Sequence, residues 1–138
     1  AKKAPRSPVD AQFSIPWGVA SALVGRRVGL DDFTPAAIGN REVLEITGKM
    51  RLEVDNALSR PGPDPTRVQV VTVGGKVFER VVRSPLGSLE RPMSFEDCAG
   101  KFRDCARALD PERVERIIRM VGRLEQMEDI REMIALLT

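Results

Sequence analysis

Residues 67–84 read RVQVVTVGGKVFERVVRS, and this stretch decides the fold class. Two runs rich in β-branched residues, 67–73 and 76–84, flank Gly74 and Gly75. β-Branched side chains favour strands, and glycines adopt the positive φ angles that a tight turn needs. A phosphate-binding glycine loop would open a helix, and no helical pattern follows these glycines. The stretch therefore predicts an antiparallel hairpin.

A further strand is predicted upstream of the hairpin. The sequence MRLEV over 50–54 alternates apolar and polar residues, which is typical of a half-buried strand. Between this strand and the hairpin, SRPGPDPT over 59–66 contains three prolines and predicts a loop. Because a sheet this small needs helices on one face to be stable, we expect an α+β fold with a small antiparallel sheet.

Short helices are predicted before the strands. Residues 1–10 show no periodicity and predict a loop. Ser14 or Ile15 is a candidate N-cap of a helix with Pro16 in its first turn, where a missing N–H costs nothing. This helix is predicted to stop at Gly25, a residue type that suits the left-handed position after a helix. Further short helices are predicted over 34–39 and 41–48.

The chain turns helical from Ser94 onwards. Ser94 and Asp97 have the spacing of a capping box, and Asp110 followed by Pro111 begins a second helix. Asp129 is the candidate start of a last helix. The first of these helices carries an apolar stripe at helical spacing, formed by Phe95, Cys98, Ala99, Phe102, Cys105, Ala106 and Leu109.

Two regions follow from these patterns. Residues 1–92 are predicted to be α+β, and residues 93–138 are predicted to form a helical tail. Every helix of the tail has an apolar face, so the tail must pack on this sheet or on helices outside the chain.

Composition indicates a globular protein and excludes some classes of partner. Of the 138 residues, 42% are hydrophobic and 30% are charged, and the formal net charge is +2. This balance favours neither nucleic acid nor an anionic membrane as a partner. The sequence has no membrane-spanning run, and we expect a cytoplasmic protein. Histidine and tyrosine are both absent, which removes the commonest acid–base side chain at neutral pH.

The two cysteines, Cys98 and Cys105, lie on the same predicted helix. Seven residues of helix separate their Cα atoms by roughly 10 Å, beyond the limit of about 7 Å for a disulfide. We therefore expect two reduced thiols in the core of a cytosolic protein.

The chain's one tryptophan lies in DAQFSIPWGVAS, residues 10–21. In one interpretation Phe13 and Trp17 pack together as ordinary core. In the other, the start of a helix faces a ligand, because its first N–H groups and its dipole attract a carboxylate or a phosphate. Small residues after Trp17 would let a ligand or another backbone approach closely. The residues alone leave both interpretations open.

Several motifs in fixed order resemble the MmgE/PrpD family. The stretch DAQFSIPW followed by GVASALVGRRVGLDDFT is similar to a lid segment of that family. VLEITGKMRLEVD over 43–55 and the hairpin are similar to the segments that follow. GSLERPMSFEDCAGKFRDCA over 87–106 and the ending LEQMEDIREMIALL are also typical of the family. The resemblance covers nearly all of residues 9–138.

The resemblance implies a fold and a chemistry. Family members have a large helical domain and a smaller α+β lid, with the active site between them. On that basis residues 1–92 are part of the lid, and residues 93–138 pack on the helical domain. Family substrates are small polycarboxylates, which undergo dehydration, decarboxylation or epimerisation by proton transfer next to a carboxylate. A dehydratase similar to 2-methylcitrate dehydratase is favoured, without metal or organic cofactor, and a homodimer is expected.

The resemblance also assigns site residues, and it leaves some out. It implies that substrate is contacted by a set of residues before and at the helix start: Gln12, Phe13, Ser14, Ile15 and Trp17. The residue after Ile-Pro is usually tyrosine in the family, and Trp17 keeps a donor N–H but lacks an acceptor. The family's catalytic histidine and lysine motifs are absent from this sequence. We therefore assign no catalytic residue or metal ligand here, and expect a C-terminal portion of such an enzyme that needs the missing N-terminal helical domain.

A second hypothesis follows from the absence of a catalytic constellation. The chain would then be a stand-alone α+β module that works through protein contacts. A stable, monomeric, cooperatively melting chain would favour the module, whereas exposed apolar helices and association would favour the enzyme portion.

Overall fold

The computed structural model describes residues 3–54, 56 and 65–137. The chain divides into two compact units, Ala1–Glu53 and Val54–Thr138, which we call unit 1 and unit 2. Helices and an antiparallel hairpin are both present, so the predicted α+β class is confirmed.

Unit 1 is made of short helices joined by tight turns. Its elements are α1 (Pro8–Gln12), α2 (Ile15–Gly25), 3₁₀ turns over Leu30–Phe33 and Ala37–Gly39, and α3 (Arg41–Lys49). The predicted cap of α2 is confirmed at Ser14, whose Oγ accepts a hydrogen bond from the Trp17 N–H at 3.1 Å. Asn40 caps α3 in the same way through its side-chain oxygen. Residues of this kind satisfy N–H groups that a helix start leaves unpaired.

A single apolar cluster fills unit 1. Its buried members are Ala11, Trp17, Ala20 and Val43. The partly buried side chains of Val24, Phe33, Ile38, Leu44, Ile46 and Met50 pack against it. Helices α2 and α3 pack against each other, so the cluster lies between them.

Two helix ends differ from the sequence-based predictions. Residues 1–10 were expected to be a loop, but α1 begins at Pro8, and the Ser7 Oγ accepts the Asp10 N–H at 3.1 Å. A helix of 5 residues shows almost no periodicity, which is why only its cap could have predicted it. Gly25 is the last residue of α2, and the left-handed residue is Arg26 with φ 59°.

The predicted hairpin is confirmed. Strand β1 (Thr66–Val71) pairs antiparallel with β2 (Val77–Val82), and Val71 lies opposite Val77. The Gly75 N–H donates to the Thr72 carbonyl at 2.9 Å, and Gly75 has φ 79°. This is a three-residue loop closed by a glycine in the left-handed region, so only one of the two glycines has the positive φ that was expected of both.

The predicted third strand is wrong. The sheet has two strands, and residues 51–54 pair with no strand in the described part of the chain. Met50 follows α3 in an extended conformation, but alternation of apolar and polar residues does not itself supply a pairing partner. The loop predicted over 59–66 lies almost wholly outside the described residues.

The helical tail follows the predicted pattern. Helix α4 (Phe95–Cys105) begins with the Ser94–Asp97 capping box, and α5 (Pro111–Val121) begins after Asp110, whose carboxylate caps it. A 3₁₀ turn over Leu124–Gln126 and the four-residue helix α6 (Arg131–Ile134) follow. Ala99, Val114 and Ile118 form the buried cluster between α4 and α5.

The cysteines are not core residues, contrary to the prediction. Cys98 and Cys105 are both free, and both are exposed. Within the stripe of α4 only Ala99 is buried, because α5 covers a narrower face than the spacing of apolar residues indicates.

Candidate functional site

The candidate site is the junction of α1 and α2, residues 12–17, which we call the α1–α2 corner. Phe13 ends α1, and its N–H donates to the Val9 carbonyl at 3.2 Å. Ser14 is extended, with φ −109° and ψ 104°, and its N–H donates to the Ala11 carbonyl at 3.0 Å. One extended residue between two helices turns the chain sharply, so the side chains of the corner alternate between surface and interior.

The residues predicted to contact substrate divide into two groups. Gln12 is exposed, and Phe13 and Ile15 are 81% and 64% exposed. Ser14 and Trp17 are only 5% and 1% exposed. The corner thus brings all of them together in sequence and space, but only Gln12, Phe13 and Ile15 present side chains at the surface of unit 1.

Trp17 lies in the interior of unit 1 and its polar atom has a partner there. The indole Nε1–H donates to the Asp32 carbonyl at 2.9 Å, which reaches the 3₁₀ turn Leu30–Phe33. The core interpretation therefore describes Trp17 correctly, whereas Phe13 does not pack into that core. Sequence reasoning missed Asp32, because a backbone acceptor carries no signal in the residue type.

The first N–H groups of α2 are largely used within the corner. Pro16 has no N–H, the Trp17 N–H donates to the Ser14 Oγ, and the Gly18 N–H donates to the Ser14 carbonyl at 3.0 Å. Among the described residues the Ile15 N–H has no hydrogen-bond partner. A helix start that caps itself keeps its dipole but offers few donors to a carboxylate.

The small residues after Trp17 have different surroundings. Ala20 and Ser21 are buried, so this side of α2 packs closely against the interior. A Cβ added at Gly18 would meet nothing within 4 Å, so no close backbone approach requires glycine there. The tight packing therefore lies behind the corner, and the Gly18 side of the helix is open.

The exposed part of the corner is uncharged. A bound polycarboxylate needs cationic partners because unpaired carboxylates are costly to desolvate, and Gln12, Phe13 and Ile15 supply none. Among the described residues no group of three or more cysteine, aspartate or glutamate side chains has an arrangement that could hold a metal ion. The expectation that no cofactor is used stays a prediction.

A charge network lies between α4 and α5, away from the predicted site residues in the sequence. Arg103 Nε pairs with Glu115 at 2.6 Å, and its Nη1 pairs with Glu96 at 2.7 Å. Hydrogen bonds to these two carboxylates raise the pKa of the Arg103 guanidinium above its ordinary value. Hydrogen bonding to Arg103 lowers the pKa of Glu115. These side chains are partly exposed, which identifies a helix-bracing ion pair and not a catalytic acid.

Comparison with known proteins now places the chain. The description "MmgE/PrpD C-terminal domain" belongs to a family model that matches residues 1–126. The chain belongs to the MmgE/PrpD family. A relative is the cis-aconitate decarboxylase-like protein oryM of Aspergillus oryzae, 29% identical over 136 residues. The match covers 97% of this chain but 28% of that relative, so the chain spans less than a third of its length.

The comparison has a limited reach at the level of the site. Family membership supports the resemblance first given by the IPW stretch and the hairpin. The assignment of Gln12, Phe13, Ser14, Ile15 and Trp17 to substrate contact stays a prediction. In the part of the chain that the structure describes, no helix is both long and apolar enough to cross a lipid bilayer.

Proposed function

We propose that residues 1–138 are the lid and tail of an enzyme that acts on a small polycarboxylate by moving a proton next to a carboxylate. The observation that carries this proposal is the family match over residues 1–126. Catalytic acid–base groups would come from a helical domain that precedes these residues in the same protein. Pairing of two such proteins into a homodimer is part of the proposal.

The proposal names three possible reactions in an order of preference. Dehydration comes first on the resemblance to 2-methylcitrate dehydratases. Decarboxylation of cis-aconitate comes second, since the fungal relative carries that activity in its name. Epimerisation is the third. All three begin or end with a proton at a carbon next to a carboxylate, so one lid could serve any of them.

Two structural features support a role as part of a larger protein. Apolar residues remain exposed on both strands of the hairpin, for example Val71 and Phe78. A two-stranded hairpin is marginally stable alone, and helices or further strands normally cover it. The α1–α2 corner presents Phe13 and Ile15 to solvent, which suits a wall that closes over a bound ligand.

The corner would contribute shape and exclusion of water, not charge. Gln12 offers an amide to a carboxylate oxygen, and Phe13 and Ile15 would cover the uncharged part of the substrate. The carboxylate charges would be met by cations elsewhere in the complete enzyme. Ser14 and Trp17 hold the corner in place from the interior.

The test uses the complete protein that contains residues 1–138. It is assayed with 2-methylcitrate, cis-aconitate and iminodisuccinate, following double-bond absorbance, release of carbon dioxide and loss of optical activity, respectively. Phe13→Ala and Ile15→Ala are expected to lower kcat/KM about tenfold, a loss of about 1.4 kcal/mol in transition-state stabilisation. Val9→Ala, which shortens an exposed residue of α1, is the matched control and should change little.

Two outcomes would overturn parts of the proposal. Lack of turnover with all three substrates would remove the enzymatic function. Turnover that Phe13→Ala and Ile15→Ala change by less than about twofold, ~0.4 kcal/mol, would keep the function but remove the corner from the substrate site.

A further inference from the structure

Trp17 joins two parts of unit 1 that are each fixed by hydrogen bonds of their own. Its backbone N–H donates to the Ser14 Oγ at 3.1 Å, which fixes the first turn of α2. Its indole N–H donates to the Asp32 carbonyl at 2.9 Å. In the turn that carries this carbonyl, the Gly29 N–H donates to the Asp32 carboxylate at 2.7 Å, and the Asp32 N–H donates to the Gly29 carbonyl at 3.2 Å. The acceptor of the indole bond is therefore held in place from within its own turn.

The environment makes this connection strong and directional. Trp17 is 1% exposed, and Phe33 of the same 3₁₀ turn packs against the cluster that contains it. A buried hydrogen bond is stronger than an exposed one, and breaking it leaves a polar group without a partner. The indole ring therefore has one favourable orientation, and that orientation fixes how the first turn of α2 is rotated.

The rotation of this turn determines where the exposed corner residues lie. Ile15 is the first residue of α2, and Phe13 is separated from it by the single extended residue Ser14. Neither exposed side chain packs into the cluster that holds Trp17. Their positions consequently depend on the backbone, and the backbone is anchored by Trp17 and its cap.

We infer that Trp17 is a positioning residue of the α1–α2 corner, which orients Phe13 and Ile15 toward substrate through the indole bond to Asp32 and does not itself contact substrate. This inference rests on the proposed function, because it takes the corner to be part of a substrate site. It assigns Trp17 a different role from the substrate contact that the resemblance implies. A direct contact would require the indole at the surface, and unit 1 encloses it.

The test compares three variants of the complete protein. Trp17→Phe keeps an aromatic ring and removes the N–H donor. Asp32→Ala leaves Trp17 and the apolar cluster intact but removes the carboxylate that braces the acceptor turn. Val43→Ala is the matched control, since Val43 is a buried member of the same cluster and has no part in the indole bond. The readouts are kcat and KM, together with hydrogen–deuterium exchange over residues 12–18 and 29–34.

The two kinetic constants separate positioning from loss of core stability. Removing one hydrogen bond of ordinary strength corresponds to roughly a fivefold change in an equilibrium constant. We expect Trp17→Phe to raise KM about fivefold and Asp32→Ala to raise it about twofold to threefold, with kcat within about twofold of wild type. Exchange over 12–18 should be faster in both variants and unchanged in Val43→Ala.

Each other result counts against the inference. Equal KM values for Trp17→Phe and Val43→Ala would reduce Trp17 to a core residue. Faster exchange in Trp17→Phe with unchanged KM would show that the bond anchors the backbone but does not orient a substrate contact. If wild-type protein turns over none of the polycarboxylates, the proposed function fails, and unchanged exchange in Trp17→Phe would separately overturn the anchoring.

Discussion

The two units of the chain differ in how far they cover their own apolar surface. In unit 1 the largest apolar side chain, Trp17, is 1% exposed, and a ring of helices and turns surrounds it. In unit 2 the hairpin leaves Phe78 50% exposed, and Leu89 is 103% exposed in the loop that follows. Burial of apolar area is the main favourable term in folding, so unit 1 has its own interior, whereas much of unit 2 depends on a surface that it does not itself contain.

The largest predicted effect contrasts one aromatic residue from each unit. Trp17→Ala is expected to lower the free energy of unfolding by about 3 to 5 kcal/mol, because it leaves a large cavity and an unpaired Asp32 carbonyl. Phe78→Ala, in the exposed hairpin, is expected to cost about 1 kcal/mol or less, the usual range for a cross-strand pair. Urea unfolding of the 138-residue chain, followed by far-UV circular dichroism, measures both.

The same pair of variants tests what covers unit 2. In a longer protein that covers the hairpin, Phe78→Ala should cost about 2 kcal/mol, since a fully buried phenylalanine contributes about 1.5 to 3 kcal/mol. An equally small loss in the longer protein would mean that the hairpin stays exposed, and it would favour the stand-alone module. Equal losses for Trp17→Ala and Phe78→Ala in the short chain would contradict the contrast between the units.

Local chemistry made several elements of both units predictable from the sequence. Caps at Ser14, Ser94 and Asp110 mark helix starts because their side-chain oxygens satisfy the first N–H groups. The hairpin was predictable because β-branched runs and two glycines favour the same structure. Each of these signals acts within a few residues and needs no knowledge of the rest of the fold.

The features that were missed depend on distant partners. The pattern over 50–54 favours a strand, but a strand exists only where another pairs with it. The exposure of Cys98 depends on where α5 lies, and the role of Trp17 depends on a carbonyl 15 residues further along the chain. For the candidate site, sequence could indicate the corner but could not divide it into surface and interior residues.

A prediction of intermediate size concerns the end of α2 in unit 1. Gly25 is helical and an added Cβ would meet nothing within 4 Å, so Gly25→Ala should stabilise the chain by about 0.5 to 1 kcal/mol. Arg26 has φ 59°, which costs a residue with a Cβ about 1 kcal/mol, so Arg26→Gly should also stabilise it. Thermal unfolding measures both changes. Destabilisation by Gly25→Ala would instead mean that Gly25 is the left-handed residue, as the sequence pattern first indicated.

The smallest predicted effect concerns the helical pair of unit 2, the one part of that unit with a buried cluster of its own. The Arg103 guanidinium hydrogen-bonds Glu115 and lowers the pKa of that carboxylate in the folded protein. A lowered folded pKa means that the stabilisation is fully present above the unfolded value of about 4.3 and is lost as pH falls through the folded pKa. Glu115→Gln should therefore lower stability at neutral pH, with the difference from wild type shrinking below about pH 4.3.

The size of this effect is limited by solvent. The side chains of Arg103 and Glu115 are 37% and 44% exposed, so water and salt screen the pair. Glu125→Gln, in the exposed 3₁₀ turn after α5, is the control and should show no such convergence at acid pH. A wild-type advantage over Glu115→Gln that persists unchanged at pH 3, or that survives 1 M salt undiminished, would mean that packing and not charge holds α4 against α5. In that case the helical pair would resemble the interior of unit 1, and the hairpin alone would account for the difference between the units.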